Sequence, residues 1–138
     1  MIRKTLDQIR VEVALKAKMN ITRGNEGGDK IKNFPTMIQN NGLLGALAYA
    51  VERKTRYDKK TKKSVDLGPK NESEQDMANF ICKYLNKLSE YDYTVTGNKN
   101  LQKPEDLIGF LVDCTPEQFR RVNAEVMAFM NYFRRFAS

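Results

Sequence analysis

Arginine is the side chain best shaped to hold phosphate, and the last quarter of the chain carries two arginine pairs, Arg120-Arg121 and Arg134-Arg135. Each guanidinium presents a planar fork of donors that matches two phosphate oxygens at once. At 100° per residue all four fall on one side of a helix, with Ala124, Ala128 and Asn131 between them, so the surface they frame is small and flat. A phosphate backbone or a partner helix could approach it closely. A plain solvated face, with terminal arginines complementing the helix dipole, fits the same spacing. The other concentration of charge is at 53–63, Arg-Lys-Thr-Arg-Tyr-Asp-Lys-Lys-Thr-Lys-Lys, seven basic residues against one acidic. Arg53, Lys54, Arg56, Lys59, Lys60, Lys62 and Lys63 are candidates for electrostatic contact with a nucleic-acid backbone, which asks for no fixed geometry. A solvated loop is the plainer alternative. Tyr57 is the one aromatic in the segment, so base stacking has little to rest on.

Other chemistries find few residues. The chain of 138 residues contains no histidine, which excludes imidazole bases, the usual serine and cysteine triads, and any metal site with a histidine ligand. Cys82 and Cys114 lie 32 positions apart, so no CxxC pair exists, and both sit among apolar residues as small core fillers. The carboxylates are scattered, and Glu105-Asp106 is explained by the start of a helix. The expectation is a protein that is not an enzyme, with no cofactor, no metal and no small-molecule substrate.

Charge and apolar content restrict the setting. With 24 Lys+Arg against 17 Asp+Glu the net charge is +7, which suits a negatively charged partner. Removing residues 53–63 leaves 17 basic against 16 acidic, so nearly all of the surplus belongs to one segment. The longest apolar run, Leu43 to Val51, is nine residues, well short of the roughly 20 that span a bilayer. Met1-Ile2-Arg3-Lys4 leads into an amphipathic pattern rather than a signal sequence. These features point to a soluble protein of the reducing cytoplasm, one domain over residues 1–138.

The elements that must position the charges are helical. Ile2, Leu6, Ile9, Val13 and Ala17 form one stripe of a first helix, and Val11, Leu15 and Met19 form a second on the opposite side. A helix apolar on both sides is either central in a bundle or covered by another chain, which makes Val11, Leu15 and Met19 candidates to face a partner. Residues 23–29 are glycine-rich but lack the spacing of a phosphate-binding loop and read as a linker. A second helix over 30–54 is apolar nearly all round, with Pro35 bending it or marking a first turn. A long, flexible basic loop follows, about 54–72. Ser73 as N-cap, with Asp76 three residues on, opens a third helix whose face is Met77, Phe80, Ile81, Tyr84, Leu85 and Leu88. Tyr91 to Val95 has no strand partner and reads as loop. Pro104 starts a short fourth helix. Thr115-Pro116-Glu117-Gln118 combines an N-cap, a proline at the first position and a capping-box glutamine, and opens a fifth helix with a core stripe of Phe119, Val122, Val126, Phe129, Met130 and Phe133. The expected fold is all-α, a compact bundle of about five helices without a sheet.

Two segments are similar to a known family. Phe34-Pro35-Thr36-Met37-Ile38-Gln39-Asn40-Asn41-Gly42-Leu43-Leu44-Gly45-Ala46-Leu47-Ala48-Tyr49 resembles the signature helix of the small α-helical subunit of the type III-B CRISPR effector, the Cmr complex. Phe119-Arg120-Arg121 through Glu125 to Tyr132-Phe133-Arg134-Arg135-Phe136-Ala137 resembles that family's closing helix, with Tyr132 where the family often has tryptophan. The basic loop is longer than the family's, so no role carries over to it. The resemblance implies a non-catalytic subunit of an RNA-guided, RNA-targeting defence ribonucleoprotein. Its implied partners are the other subunits of the complex, further copies of itself stacked head to tail, and the backbones of guide and target RNA. Val11, Leu15 and Met19 would then face a neighbouring subunit, and the arginine face or the basic loop would face RNA. A free-standing adaptor binding only protein is the alternative. A membrane-surface role is weakened by the lack of a basic amphipathic helix with bulky aromatics.

Overall fold

The computed structural model describes residues 4–21, 27–91, 93, 95–96 and 100–136, with the side chains of 17–21, 27–32 and 136 left aside. Five helices and one two-stranded sheet follow in the order α1 (Leu6–Ile21), α2 (Gly27–Ala50), β1 (Arg53–Asp58), β2 (Lys63–Pro69), α3 (Glu72–Glu90), α4 (Pro104–Asp113) and α5 (Pro116–Phe136). The five expected helices are present. The purely all-α expectation is corrected: the protein is mostly helical, with an antiparallel β1–β2 pair in place of the basic loop.

Local chemistry sets the boundaries. The Thr5 hydroxyl accepts the Gln8 N–H at 3.2 Å while the Gln8 side chain accepts the Thr5 N–H at 2.8 Å, a reciprocal cap that starts α1. The same box recurs at α5, where Thr115 and Gln118 exchange bonds of 3.1 and 3.0 Å around Pro116, as the spacing predicts. At α4 the Asp106 carboxylate accepts the N–H groups of Gln102 and Lys103 at 3.0 and 3.3 Å. The expected Ser73 cap is corrected: α3 begins earlier, directly after Asn71, whose amide donates to the Tyr49 carbonyl at 2.8 Å and ties α3 to the end of α2. The described residues of 91–95 form no strand, in line with the loop expected there. Of the expected linker at 23–29, residues 23–26 lie outside the described residues and Gly27 already belongs to α2.

α2 is two helical pieces joined at Gly42, where φ is 79° and ψ 163°. That combination is open to glycine and strained for any side chain. A Cβ there would meet nothing within 4 Å, so the penalty of a substitution is confined to the backbone. Gly42→Ala is expected to destabilise the fold by about 1–3 kcal/mol in urea unfolding; a value near zero would show that the junction can straighten.

The core gathers Ile9 and Val13 of α1, Phe34, Ile38, Leu43 and Leu47 of α2, Met77, Ile81, Tyr84, Leu85 and Leu88 of α3, Leu107 and Leu111 of α4, and Val122, Val126, Phe129, Met130 and Phe133 of α5. Tyr84 stacks on Phe129 with ring centroids 4.6 Å apart and planes 7° from parallel. Cys82 is buried in this core, and burial pushes its thiol up to about 12, so it is a packed, protonated side chain at neutral pH. Cys114 is only partly buried, at the C-terminal end of α4, where its thiol donates to the Leu111 carbonyl at 3.5 Å.

Candidate nucleic-acid interface

The α5 helix separates its two faces as the 3.6-residue period requires. Val122, Val126, Phe129, Met130 and Phe133 are buried, whereas Arg120, Arg121, Arg134 and Arg135 are exposed together with Ala124 and Asn131. Fourteen positions of helix put Arg120 and Arg134 about 21 Å apart along the axis. Arg121 is engaged by Glu117 one turn away, at 3.1 Å. Arg135 lies over the Tyr132 ring, 5.9 Å from its centre. These surface contacts are weak and screened, so they orient the arginines without consuming them.

A polar cluster on the flank of α5, one turn on from Arg121, helps to fix the rotation of the helix. Arg10 of α1 donates two bonds to Glu125, at 3.2 and 3.1 Å, and one to the Tyr84 hydroxyl at 3.1 Å. The Tyr84 hydroxyl in turn donates to Glu125 at 2.7 Å. Burial works against charge on Arg10, but its bonds to Tyr84 and Glu125 outweigh that and the guanidinium is held charged. Burial, then the bond to Glu125, pushes the Tyr84 phenol well above its ordinary range, so it stays a donor. Further out, the Tyr132 hydroxyl donates to Asp7 at 2.9 Å, which raises its pKa, and Arg10 reaches the same carboxylate at 3.3 Å. Three helices are thus keyed together through Glu125, and α5 cannot rotate its arginines inward without breaking the set. Sequence spacing alone carries no sign of this cluster, because its members are up to 115 positions apart.

The seven cations of 53–63 stand on an exposed antiparallel ribbon, paired Arg53↔Pro69, Lys54↔Gly68, Thr55↔Asp66, Arg56↔Val65, Tyr57↔Ser64 and Asp58↔Lys63. Leu67 has no partner in this register and forms a bulge. The turn at 59–62 is closed by the Lys62 N–H on the Asp58 carbonyl at 2.8 Å and by the Lys60 N–H on the Asp58 side chain at 2.9 Å. Lys62 there takes φ 56°. Lys59, Lys60 and Lys62 therefore sit together at the tip. Arg53 is set apart from the other candidates, because its guanidinium is bound to Asp66 across the ribbon at 3.0–3.2 Å. With the Lys70 N–H on the Glu52 carbonyl at 3.0 Å, this pair closes the base of the ribbon.

The Asp66 carboxyl is held below its ordinary 3.8, first by the Gly68 N–H and then by Arg53. Its contribution is therefore complete above its unfolded value and is lost as pH falls through the lowered folded value. Acidification from about pH 5 to about pH 2 is expected to loosen the base of the ribbon, read from the amide chemical shifts of 53–69, and Asp66→Asn is expected to remove that dependence. An unchanged titration of the ribbon in the Asp66→Asn variant would assign the effect elsewhere.

Of the second apolar stripe of α1, only part can be placed. Val11 is half-buried and Leu15 is 44% exposed, while the side chain of Met19 lies outside the described residues. Lys4 and Glu12 bridge this side at 2.6 Å; the bond raises the one pKa and lowers the other. With Asp7, Gln8 and Val11 they line an open, shallow depression. The arginine face, the ribbon and the α1 stripe thus occupy three different elements. Among the described residues no group of three or more Cys, Asp and Glu is placed to hold a metal ion, and no helix is long and apolar enough to cross a membrane.

No curated protein and no solved structure matches the chain. A family model does, that of the CRISPR-associated protein Cas_Cmr5, and it matches residues 8–138, which include both segments noted in the sequence, the kinked α2 and the whole of α5. This chain therefore belongs to the Cmr5 family of CRISPR-associated proteins, as a small Cmr-type subunit.

Proposed function

We propose that the protein is a non-catalytic subunit of a type III-B RNA-guided effector in the cytoplasm, a single domain that stacks beside the backbone subunits and helps to line the groove holding guide and target RNA in antiviral defence. The observation that carries this reading is the α5 face, four exposed arginines on a helix held from behind by its apolar stripe and at its flank by Arg10, Tyr84 and Glu125. Base pairing supplies the sequence specificity of such an assembly, so its protein walls need contacts to phosphate and sugar that ignore sequence. Arginine forks at fixed spacing provide them, and the lysines at the ribbon tip add a second, adaptable contact.

The exposed stripe of α1 supports the assembly half of the proposal. Leu15 and Val11 present apolar surface beside paired charges, which suits the neighbouring copy in a head-to-tail stack. The experiment is affinity purification of the tagged full-length chain from its native host, with identification of the accompanying proteins and small RNA. Co-purification of the other effector subunits together with guide RNA is expected. Recovery of the chain with protein partners alone, free of RNA, would favour an adaptor without RNA contact.

A further inference from the structure

The ribbon has two open edges, and they are built differently. β2 carries the Leu67 bulge, Gly68 at φ 103° and Pro69, which has no N–H to offer. Bulges and prolines close a sheet edge to any further strand, whereas charged side chains such as Lys54 and Arg56 close it to strands that do not complement them. β1, Arg53–Asp58, is an unbroken six-residue strand with neither glycine nor proline. The ribbon also exposes apolar surface that phosphate does not require: Tyr57 is 60% exposed, Leu67 53% and Val65 37%. A two-stranded ribbon standing by itself is marginal in water and gains from a third strand.

Alternation along β1 says what that strand should look like. Lys54 and Arg56 project to one side of the ribbon, Thr55 and Tyr57 to the other, and no acid is paired with Lys54 or Arg56 among the described ion pairs. We propose that the β1 edge receives an extended segment of a partner protein as a third strand, with acidic residues at alternate positions beside Lys54 and Arg56 and apolar residues beside Thr55 and Tyr57. Main-chain bonds to β1 provide affinity and the alternating side chains provide register. Asp58, on the Lys54 side but at the tip end, limits the register by repelling an acid opposite it. The assignment goes beyond the RNA reading: it moves Lys54 and Arg56 from the RNA candidates to a protein contact and leaves the tip lysines where they were.

The test titrates the isotope-labelled full-length chain at low salt with three probes: a peptide alternating Glu and Val, an isomer of the same composition with the Glu and Val residues grouped, and a uridine oligonucleotide. The alternating peptide is expected to shift and protect the amides of Arg53–Asp58 and to bind about tenfold tighter than its isomer. Lys54→Glu with Arg56→Glu is expected to remove that preference, and Tyr57→Ser, which leaves the charges intact, to weaken the alternating peptide about threefold. Equal affinity for the two peptides, or shifts confined to β2 and the helices, would overturn the proposal. So would β1 shifts produced by the oligonucleotide and not by the peptide, which would return this edge to nucleic acid.

Discussion

Replacing Arg120, Arg121, Arg134 and Arg135 together by alanine is expected to lower affinity for an RNA duplex by about 10³-fold near 0.1 M salt. The figure follows from counterion release: each phosphate contact adds roughly 0.7–0.9 to the slope of log affinity against log salt, so four contacts account for about three. The slope is the sharper readout, because it reports the number of phosphates met rather than a change in shape. All four side chains are exposed and alanine is the best helix former, so α5 should retain its helicity. Circular dichroism of the variant checks that. An unchanged slope would mean that the arginines are only solvated, with Arg121 spent on Glu117 and Arg135 on Tyr132.

Glu125→Ala is expected to destabilise the protein by about 2–3 kcal/mol in urea unfolding. A fully buried pair broken on one side loses about 3–5 kcal/mol; here Arg10 retains 15% and Glu125 19% side-chain exposure, so water recovers part of it. What remains is a guanidinium with only the exposed Asp7 carboxylate, at 3.3 Å, and a phenol, Tyr84, without its acceptor. Removing the whole polar set, as Arg10→Met, Tyr84→Phe and Glu125→Leu together, should restore most of the loss, since the penalty comes from the buried groups left without partners. A single-variant effect below about 1 kcal/mol would show that the cluster does not hold α1, α3 and α5 together, and would leave the apolar stripe alone to orient α5.

The parts of this fold that are legible in the sequence share one trait, that their signals are local. Thr115-Pro116-Glu117-Gln118 specifies the start of α5 within one turn, and the Phe119-to-Phe133 stripe then dictates which side is buried, so the placement of the arginine face follows from the pattern of residues alone. The second stripe of α1 is legible for the same reason, and Leu15 stands outside as that reading requires. The ribbon is not. Its strands are exposed on both faces, so they lack the alternation of apolar and polar residues that marks a strand, and their turn is closed by Asp58 and a lysine at positive φ rather than by Asn-Gly or Asp-Gly. What holds them is the Arg53–Asp66 pair and the ladder itself, both set by a register that composition does not reveal. Only Asp58 at the tip and Gly68-Pro69 at the base mark the two ends of the hairpin. The Arg10–Tyr84–Glu125 cluster lies beyond any local pattern, since it depends on three helices meeting.

The most direct measurement is ultraviolet cross-linking of the RNA-loaded effector complex containing the full-length chain, with the linked peptides identified by mass spectrometry. RNA-linked peptides are expected from α5 around Arg120–Arg121 and Arg134–Arg135, with further links from the ribbon tip at Lys59–Lys62. Links confined to the other subunits, with α5 unmodified, would contradict an RNA-facing role for this chain.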